Sequence, residues 1–201
     1  MKYNDIIFNK FSELVSQGVL KPHKYKSKDV IFKEGDKSRY LSYILEGEVE
    51  IATLSYQGSV EVISILKEKE TFGQFILFQE KGLYLGDVIA KKPSLVLHIT
   101  KNQLLDILSS DKTFLEAYIS FISNESFQIK QQVKLLSHKN ALDRVLFYLE
   151  SHQVSNICQI ESVASLAKLV NLPRETVSRI LSKLQQDKYL IKNGNLIKLI
   201  K

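Results

Sequence analysis

One stretch near the C-terminus, SVASLAKLVNLPRETVSRILSKLQ from Ser162 to Gln185, decides the fold of its region. Ser162 is a good N-cap, and apolar residues recur behind it at helical intervals, which predicts a short first helix. Asn171 tolerates the left-handed conformation of a sharp turn, and Pro173 suits the start of a second helix. That helix has a regular apolar stripe: Val177, Ile180, Leu181 and Leu184.

These spacings predict a helix-turn-helix. Beyond it, the dipeptide Asn193-Gly194 separates two apolar runs, which is the strongest short-range signal for a β-hairpin. A hairpin at this place would form a β-wing, so the last third of the chain is predicted to be a winged helix-turn-helix.

Four residues are left on the outer side of the second helix: Arg174, Glu175, Ser178 and Arg179. An arginine can grip guanine O6 and N7, and a carboxylate can accept a hydrogen bond from cytosine N4. Glu175 beside phosphates is unfavourable unless it reads a donor, so the pattern favours specific base reading. The alternative is a solvated face on which Glu175 and Arg179 form an ordinary i,i+4 ion pair.

The positive charge of the chain is concentrated in the same region. The whole chain of 201 residues carries a net charge of +6. Residues 139–201 hold ten Lys and Arg against five Asp and Glu, a net +5, whereas residues 1–138 carry only +1. This location favours double-stranded DNA as the partner.

Composition excludes several other classes of protein. No apolar run approaches the roughly 18 residues of a membrane span, and the first residues lack a signal peptide, so we expect a cytoplasmic protein without a membrane partner. One cysteine, Cys158, and four histidines without ligand spacing predict no metal and no cofactor. A cupin-type enzyme would need clustered His and carboxylate ligands, so catalysis is not expected.

Residues 30–99 contain short strand-like runs that are separated by turn residues such as Glu34-Gly35-Asp36 and Gln57-Gly58-Ser59. This spacing predicts a small antiparallel barrel or jelly roll. Apolar residues at helical intervals between Ile6 and Leu20 predict a leading helix that ends near Gly18.

The segment from Asp111 to about Ser137 contains neither Pro nor Gly and predicts one long helix. Apolar residues follow each other at steps of 4 and 3 along it, with one serine among them: Leu115, Ile119, Ile122, Ser126, Ile129, Val133 and Leu136. Such a heptad seam favours a homodimer. The alternative is packing against the chain's own barrel, which a second apolar flank (Phe114, Tyr118, Phe121) would also suit.

Several motifs together resemble the Crp/Fnr superfamily of bacterial transcription factors. They are FKEGD at 32–36, YILEGEVEI at 43–51, Phe72-Gly73, Leu77-Phe78 and, as the most specific, LPRETVSRIL at 172–181. The resemblance implies an α+β chain: a cyclic-nucleotide-binding-like antiparallel β jelly roll at 1–110, a dimerisation helix at 111–138 and a winged helix-turn-helix at 139–201. It implies a homodimeric regulator that binds DNA and works with RNA polymerase.

The resemblance also implies roles for individual residues. Arg174, Glu175 and Arg179 match the positions that contact bases of a TGTGA-like half-site, and Ser178 lies beside them. Ser162 and Thr176 match phosphate-contacting positions, and we predict a further phosphate contact for Lys183. The expected DNA site is palindromic.

The sensor half departs from the family pattern. Family members that bind cyclic AMP have a glutamate and an Arg-Ser pair where this chain has Gln74, Tyr84 and Leu85. Without that arginine a buried phosphate has no bidentate cation, so we expect no response to cyclic AMP. Phe72, Gly73, Gln74, Tyr84 and Leu85 then line either a pocket for a less polar, unidentified effector or a packed core.

A different class of function stays open at this point. The chain could be a small-molecule-binding regulatory module that does not bind specific DNA. The missing phosphate-binding arginine argues against a nucleotide-sensing module, and a shift of duplex DNA by the protein would exclude this class.

Overall fold

The computed structural model describes residues 3–200. The chain divides into two compact units, one ending at Asn124 and the other beginning at Glu125. The division falls inside the long helix, whereas the sequence analysis placed domain boundaries at the two ends of that helix.

The first unit begins with helix α1 (Tyr3–Ser16), continues through eight strands and reaches helix α2 (Lys101–Ser110). The strands are β1 (Pro22–Tyr25), β2 (Val30–Phe32), β3 (Tyr40–Glu46), β4 (Glu48–Leu54), β5 (Val60–Lys67), β6 (Thr71–Phe72), β7 (Asp87–Ala90) and β8 (Ser94–Thr100). They form two four-stranded antiparallel sheets, with the orders β1-β8-β3-β6 and β2-β7-β4-β5.

The alternation of apolar residues along these strands determines which side chains face inward. In β3 and β8, Tyr43 pairs with Leu97 and both are buried. In the other sheet, Val49 and Val88 are buried on neighbouring strands. Residues of one strand alternate between the two faces of its sheet. Tyr43 and Leu97 belong to the cluster that helix α1 joins, whereas Ile44 and Val96 belong to the same cluster as Val49 and Val88, so the first sheet is buried on both faces.

Helix α1 covers one side of the barrel core with Ile7, Phe11 and Leu14. The Phe11 ring lies edge-on to the ring of Tyr43, with centroids 5.1 Å apart. The helix ends at Ser16, and Gly18 follows with a φ of +73°, a conformation that glycine adopts without strain. The predicted leading helix is therefore present, shifted toward the N-terminus.

Helix α3 (Lys112–Ser137) is one uninterrupted helix of 26 residues. Asp111 begins it, since its carboxylate accepts a hydrogen bond from the backbone N–H of Phe114 at 2.9 Å. Phe114 and Tyr118 belong to the barrel core, and Leu135 belongs to the core of the second unit.

The second unit continues with α4 (Ala141–Ser151), β9 (Ile157–Gln159), α5 (Val163–Leu169), α6 (Arg174–Gln186), β10 (Leu190–Asn193) and β11 (Leu196–Leu199). Its strands form an antiparallel sheet in the order β10-β11-β9. Fully buried residues from each helix meet in its core, among them Val145, Leu149, Leu166 and Val177. Cys158 is also buried here, and burial raises the pKa of its thiol.

The predicted fold class is confirmed, with corrections in detail. Three short strands, β1, β6 and β7, were not predicted, because runs of two to four residues carry little periodicity. The wing turn is also displaced by one residue. Asn193 pairs with Leu196, so the two central residues are Gly194 and Asn195 rather than Asn193 and Gly194. Gly194 has a φ of +58°, as expected at the first central position of a tight hairpin turn.

Candidate functional site

The turn between α5 and α6 sets the position of the second helix. Asn171 has a φ of +50°, as its predicted tolerance for the left-handed region requires. The backbone N–H of Leu172 donates to the carbonyl of Ala167 at 2.9 Å, which closes the turn over the end of α5. Leu172 packs against the core, and Pro173 precedes the first residue of α6.

Ser162 caps α5 as the sequence predicts. Its Oγ accepts a hydrogen bond from the backbone N–H of Ser165 at 3.0 Å and lies 3.1 Å from the Ser165 Oγ. The side chain is half-buried, so it positions α5 in addition to its predicted role as a phosphate contact.

The structure brings the four predicted base-reading residues together. Arg174, Glu175, Ser178 and Arg179 are all exposed, and with Val163 they line one surface depression of about 370 Å³. They occupy the N-terminal half of α6, the part of a recognition helix that reaches base edges. Because these four side chains are exposed, they are accessible to a partner.

The i,i+4 ion pair that could have occupied these side chains is absent from residues 3–200. The Arg179 Nε donates instead to the backbone carbonyl of Glu175, at 3.4 Å. No Glu175 carboxylate oxygen lies within salt-bridge distance of Arg179 in the described chain. Both charged groups therefore remain available for recognition.

The two other predicted phosphate contacts differ in exposure. Thr176 is half-buried in the first turn of α6. Lys183 is exposed in the last turn of α6. These placements agree with contacts at the edge of the reading face, and each contact remains a prediction.

A second depression, which the sequence analysis missed, continues the reading face toward the wing. Its volume is about 430 Å³, and Ser178, Ser182, Gln185, Gln186 and Lys192 contribute to its walls. Gln185 connects α6 to the wing, because its Oε1 accepts from the backbone N–H of Lys192 at 3.2 Å. The sequence does contain a signal for this depression. Ser178 and Gln185 are seven residues apart, which places both on one side of the helix.

The side chain of Asn195, which lies in the wing turn, connects the wing to the segment that precedes α5. The Nδ2 of Asn195 donates to the backbone carbonyl of Glu161 at 2.8 Å, and the backbone N–H of Ile160 donates to the carbonyl of Asn195 at 2.9 Å. These bonds fix the wing turn beside the start of α5.

The heptad seam lies along one side of α3. Ile119 is 55% exposed and Val133 is 63% exposed. Ile129 and Leu136 are also exposed, and Leu115, Ile122 and Ser126 are half-buried. The flank formed by Phe114, Tyr118 and Phe121 packs against the barrel instead. The two apolar flanks therefore have different surroundings, although Ile122 of the seam also packs against the barrel core. Four seam residues, Ile119, Ile129, Val133 and Leu136, are exposed.

The five predicted effector-pocket residues line one cavity of about 320 Å³ in the barrel. Phe72 and Tyr84 are buried, and Gly73 and Gln74 are half-buried. Leu85 is 79% exposed and lies at the rim, so it is not part of a packed core. The sequence analysis did not identify the remaining walls: Ile51, Ile63, Ser64, Leu66, Thr71, Phe75, Ile76, Leu83 and Gly86.

Position 73 requires glycine because its backbone lies very close to a neighbouring strand. Its φ is +85°, and a Cβ at this position would lie 2.5 Å from the backbone oxygen of Tyr40. Tyr84 crosses the barrel beside it and stacks on Phe32, with ring centroids 4.7 Å apart. Burial raises the pKa of Tyr84 to about 12, an effect that the hydroxyls of Ser38 and Ser42 partly offset.

A half-buried histidine, His98, lies beside Phe32, with ring centroids 5.4 Å apart. His98 Nδ1 is 2.9 Å from the Ser42 hydroxyl, and Nε2 is 2.8 Å from the Tyr25 hydroxyl. Burial, and secondarily the nearby His23, lowers the pKa of His98 to about 4. His98 is therefore a neutral, packed side chain at neutral pH.

Comparison with known protein families assigns both parts of the chain. Residues 22–111 match the family described as a cyclic nucleotide-binding domain. Residues 165–190 match the family described as bacterial regulatory proteins of the crp family. The second match covers the whole of α6, including the four predicted base-reading residues in its N-terminal half. The chain belongs to the Crp/Fnr superfamily of bacterial transcription regulators.

Curated relatives of this Crp/Fnr chain are transcription regulators. The cAMP-activated global transcriptional regulator CRP of Pasteurella multocida is 25% identical over 177 residues, which cover 84% of each chain. The HTH-type transcriptional regulator ArcR of Staphylococcus haemolyticus is 25% identical over 181 residues, which cover 85% of this chain and 78% of the relative.

Solved structures show the same fold. The catabolite activator protein of Thermus thermophilus aligns with a TM-score of 0.54 at 21% sequence identity. The alignment covers 92% of this chain and 87% of that one. The relatives and the Crp-family match support the assignment as a DNA-binding regulator of transcription, which agrees with the exposed reading face.

No helix within residues 3–200 has both the length and the apolar character to cross a membrane. Over the same residues, no group of three or more His, Cys, Asp or Glu side chains is placed to hold a metal ion.

Proposed function

We propose that the protein is a homodimeric, sequence-specific transcription regulator that reads a palindromic TGTGA-like site and does not respond to cyclic AMP. The observation that carries the proposal is the exposed group of Arg174, Glu175, Ser178 and Arg179 at the N-terminal half of α6. Two arginines and one carboxylate can distinguish guanine from cytosine in the major groove. Ser162, Thr176 and Lys183 would fix the register by contacts to phosphates.

Charge distribution supports DNA as the partner. The net +5 of residues 139–201 coincides with the unit that carries the reading face. Phosphate neutralisation provides affinity without sequence preference, and the four exposed residues of α6 would provide the preference.

The seam along α3 supports the homodimer. Its exposed apolar members, Ile119, Ile129 and Val133, follow coiled-coil spacing, and a second copy of α3 would bury them. Two copies related by a two-fold axis would present two recognition helices to major grooves about 34 Å apart, which requires a palindromic site.

The walls of the barrel cavity support a departure from cyclic-AMP binding. Several relatives are named as cAMP-activated regulators, the one from Pasteurella multocida among them. Here Tyr84 and Leu85 occupy the positions at which the family pattern has an Arg-Ser pair, and neither side chain can neutralise a phosphate.

We also propose that this regulator acts in the cytoplasm on RNA polymerase and performs no catalysis of its own. Recruitment is testable by in vitro transcription from a promoter that contains the selected site, where a regulated transcript yield is expected only when the protein is present.

Selection of sites from random duplex DNA by the purified protein tests the proposed recognition. We expect a palindrome with TGTGA-like half-sites. Arg174→Ala then weakens binding to that site by about 1 to 3 kcal/mol per altered contact and relaxes the base preference there. Arg39→Ala, an exposed change in the barrel, is the control and leaves the affinity unchanged.

An equal loss on specific and scrambled DNA would show that Arg174 contacts only the backbone. Failure to enrich any palindrome would favour the other class of function, a small-molecule-binding module without specific DNA binding.

Sedimentation analysis of Val133→Glu tests the dimer. A carboxylate within the apolar seam leaves a desolvated charge in the interface, so the variant is expected to sediment as a monomer. Gln128→Glu changes the charge equally at an exposed position outside the seam and should remain dimeric. A monomeric wild-type protein, or a dimeric Val133→Glu variant, would contradict the proposed interface.

A further inference from the structure

The barrel cavity lies in the segment that matches the cyclic nucleotide-binding family, yet its walls lack the charge that a nucleotide phosphate needs. None of its lining residues within the described range carries a charge. Apolar and aromatic side chains dominate the walls, including Ile51, Leu66, Phe72 and Phe75. A cyclic nucleotide carries a phosphate whose burial without a cation would cost several kcal/mol. The cavity chemistry therefore excludes an anion as a favourable occupant.

The size of the cavity suits a small organic molecule. Its volume of about 320 Å³ lies at the lower end of the roughly 300–1,000 Å³ that small-molecule sites occupy. Phe75, Leu83 and Leu85 at the walls and rim are exposed although they are large and apolar. Their exposed surface adds to the apolar area that a bound ligand would remove from water.

Three polar atoms of the lining residues lack hydrogen-bond partners within residues 3–200. They are the Oγ1 of Thr71, a residue that is more than nine-tenths buried, the Oε1 of Gln74 and the hydroxyl oxygen of Tyr84. A buried polar atom without a partner costs free energy. The Gln74 oxygen is an acceptor only, so its missing partner is a donor. A hydroxyl or N–H group on a ligand would supply it.

We infer that the cavity binds a neutral, mainly apolar molecule of one to three rings that carries a hydroxyl or N–H donor, and that this donor bonds to Gln74 and Thr71. The inference rests on the proposed function and deepens it, because it names the class of effector to which the regulator responds. The ligand would reach the cavity past the exposed Leu85 and Phe75.

The probe for the test is N-phenyl-1-naphthylamine, a neutral aromatic amine with one N–H donor whose fluorescence rises in apolar surroundings. Titration into the full-length protein is expected to give a saturable signal at one site per chain. Cyclic AMP at the same concentrations should neither bind, as measured by calorimetry, nor displace the probe.

Substitutions in the walls locate the bound probe. Gln74→Leu and Thr71→Val each remove one acceptor and should weaken binding by about fivefold. Ser64→Phe places a ring in the cavity and should abolish saturable binding. Gln79→Leu and Thr113→Val make the same chemical changes at exposed positions outside the cavity and should leave the affinity unchanged. Thermal unfolding by circular dichroism confirms that each variant is folded.

Absence of saturable binding to the wild-type protein would overturn the inference, as would probe binding that the folded Gln74→Leu and Ser64→Phe variants retain in full. Displacement of the probe by cyclic AMP would overturn it as well.

Selection of DNA sites with the same preparation separates this inference from the proposed function. A protein that selects a palindrome but ignores the probe refutes only the ligand class. A protein that binds the probe in the cavity but selects no palindrome refutes only the proposed DNA recognition.

Discussion

The two units of the chain expose opposite kinds of surface at their candidate sites. The winged helix displays charged and polar groups, Arg174, Glu175, Ser178 and Arg179, on the outside of a helix whose other face is buried. The barrel instead encloses an uncharged cavity beneath an apolar rim. The first surface suits a large, charged polymer that approaches from outside, and the second suits a small neutral molecule that leaves water.

One chain can combine two kinds of recognition because its two sites place charge differently. At the winged helix the charged groups keep contact with water until DNA arrives, so they need no internal partners. In the barrel, Tyr84 and Leu85 occupy the positions at which the family pattern has an Arg-Ser pair, and the lining of the cavity is uncharged and mainly apolar. Affinity at the two sites should therefore depend on different properties of the solution.

The largest expected difference between the two sites is the dependence of their binding affinities on salt concentration. A dimer that makes six or more phosphate contacts is expected to lose roughly 1,000-fold or more in DNA affinity between about 50 and about 200 mM salt. Binding of N-phenyl-1-naphthylamine should change by less than about twofold, because a neutral ligand releases no counterions. Fluorescence titrations of labelled DNA and of the probe over this range measure both. A steep salt dependence at the cavity would show that it holds an anion.

The second largest effect should be a pH dependence of stability that arises from His98 in the barrel. The pKa of His98 is lowered to about 4 in the folded state, below the value of about 6.5 in an unfolded chain. Between these values the unfolded state binds more protons, so stability is complete above about pH 6.5 and falls as the pH is lowered toward 4. The loss from about pH 7.5 to about pH 5 amounts to about 2 kcal/mol from this residue.

Urea unfolding of His98→Gln at both pH values measures this contribution. The side chains of His23, Tyr25, Tyr40 and Ser42 surround His98 and remain in the variant. The variant should show a smaller decrease between the two pH values than the wild type, by about 2 kcal/mol. His152→Gln, at an exposed position, should reproduce the wild-type decrease. Equal decreases in His98→Gln and the wild type would refute the role of His98.

The smallest effect should come from the edge of the reading face. Lys183→Ala removes one exposed cation of α6, so specific and scrambled DNA should be weakened by the same factor, about two- to fivefold. The slope of log affinity against log salt should decrease by about one per protomer. Lys67→Ala, an exposed change in the barrel, serves as the control in the same fluorescence titrations. A loss confined to the specific site would reassign Lys183 to base reading.

Most of the winged helix could be predicted from the sequence because its signals are local. The Ser162 cap, the left-handed Asn171 and the buried stripe of α6 each depend on residues within a few positions of one another. Helix periodicity and turn chemistry are strong signals at that range. The wing turn was predicted one residue early, because the pairing of Asn193 with Leu196 is set by strand register and not by the dipeptide.

The barrel was predicted less completely, because its neighbours in space are distant in sequence. β1 pairs with β8, and β2 pairs with β7, across more than fifty residues each. The cavity walls come from β4, β5, β6 and the segment that follows β6, and no local pattern indicates which of their residues share a space. Five lining residues were predicted only through the family resemblance.

The sequence by itself determined the order of the parts, the helix-turn-helix and the location of the positive charge, since these depend on composition and short-range spacing. Tertiary structure decided that Arg179 bonds to a carbonyl, that the Glu175 carboxylate has no ion pair within residues 3–200, and that Leu85 lies at a cavity rim instead of in a core. Within the same described range it also left Thr71, Gln74 and Tyr84 with unpartnered oxygens in an uncharged wall. These properties depend on strand register and long-range packing, which place side chains from distant segments side by side.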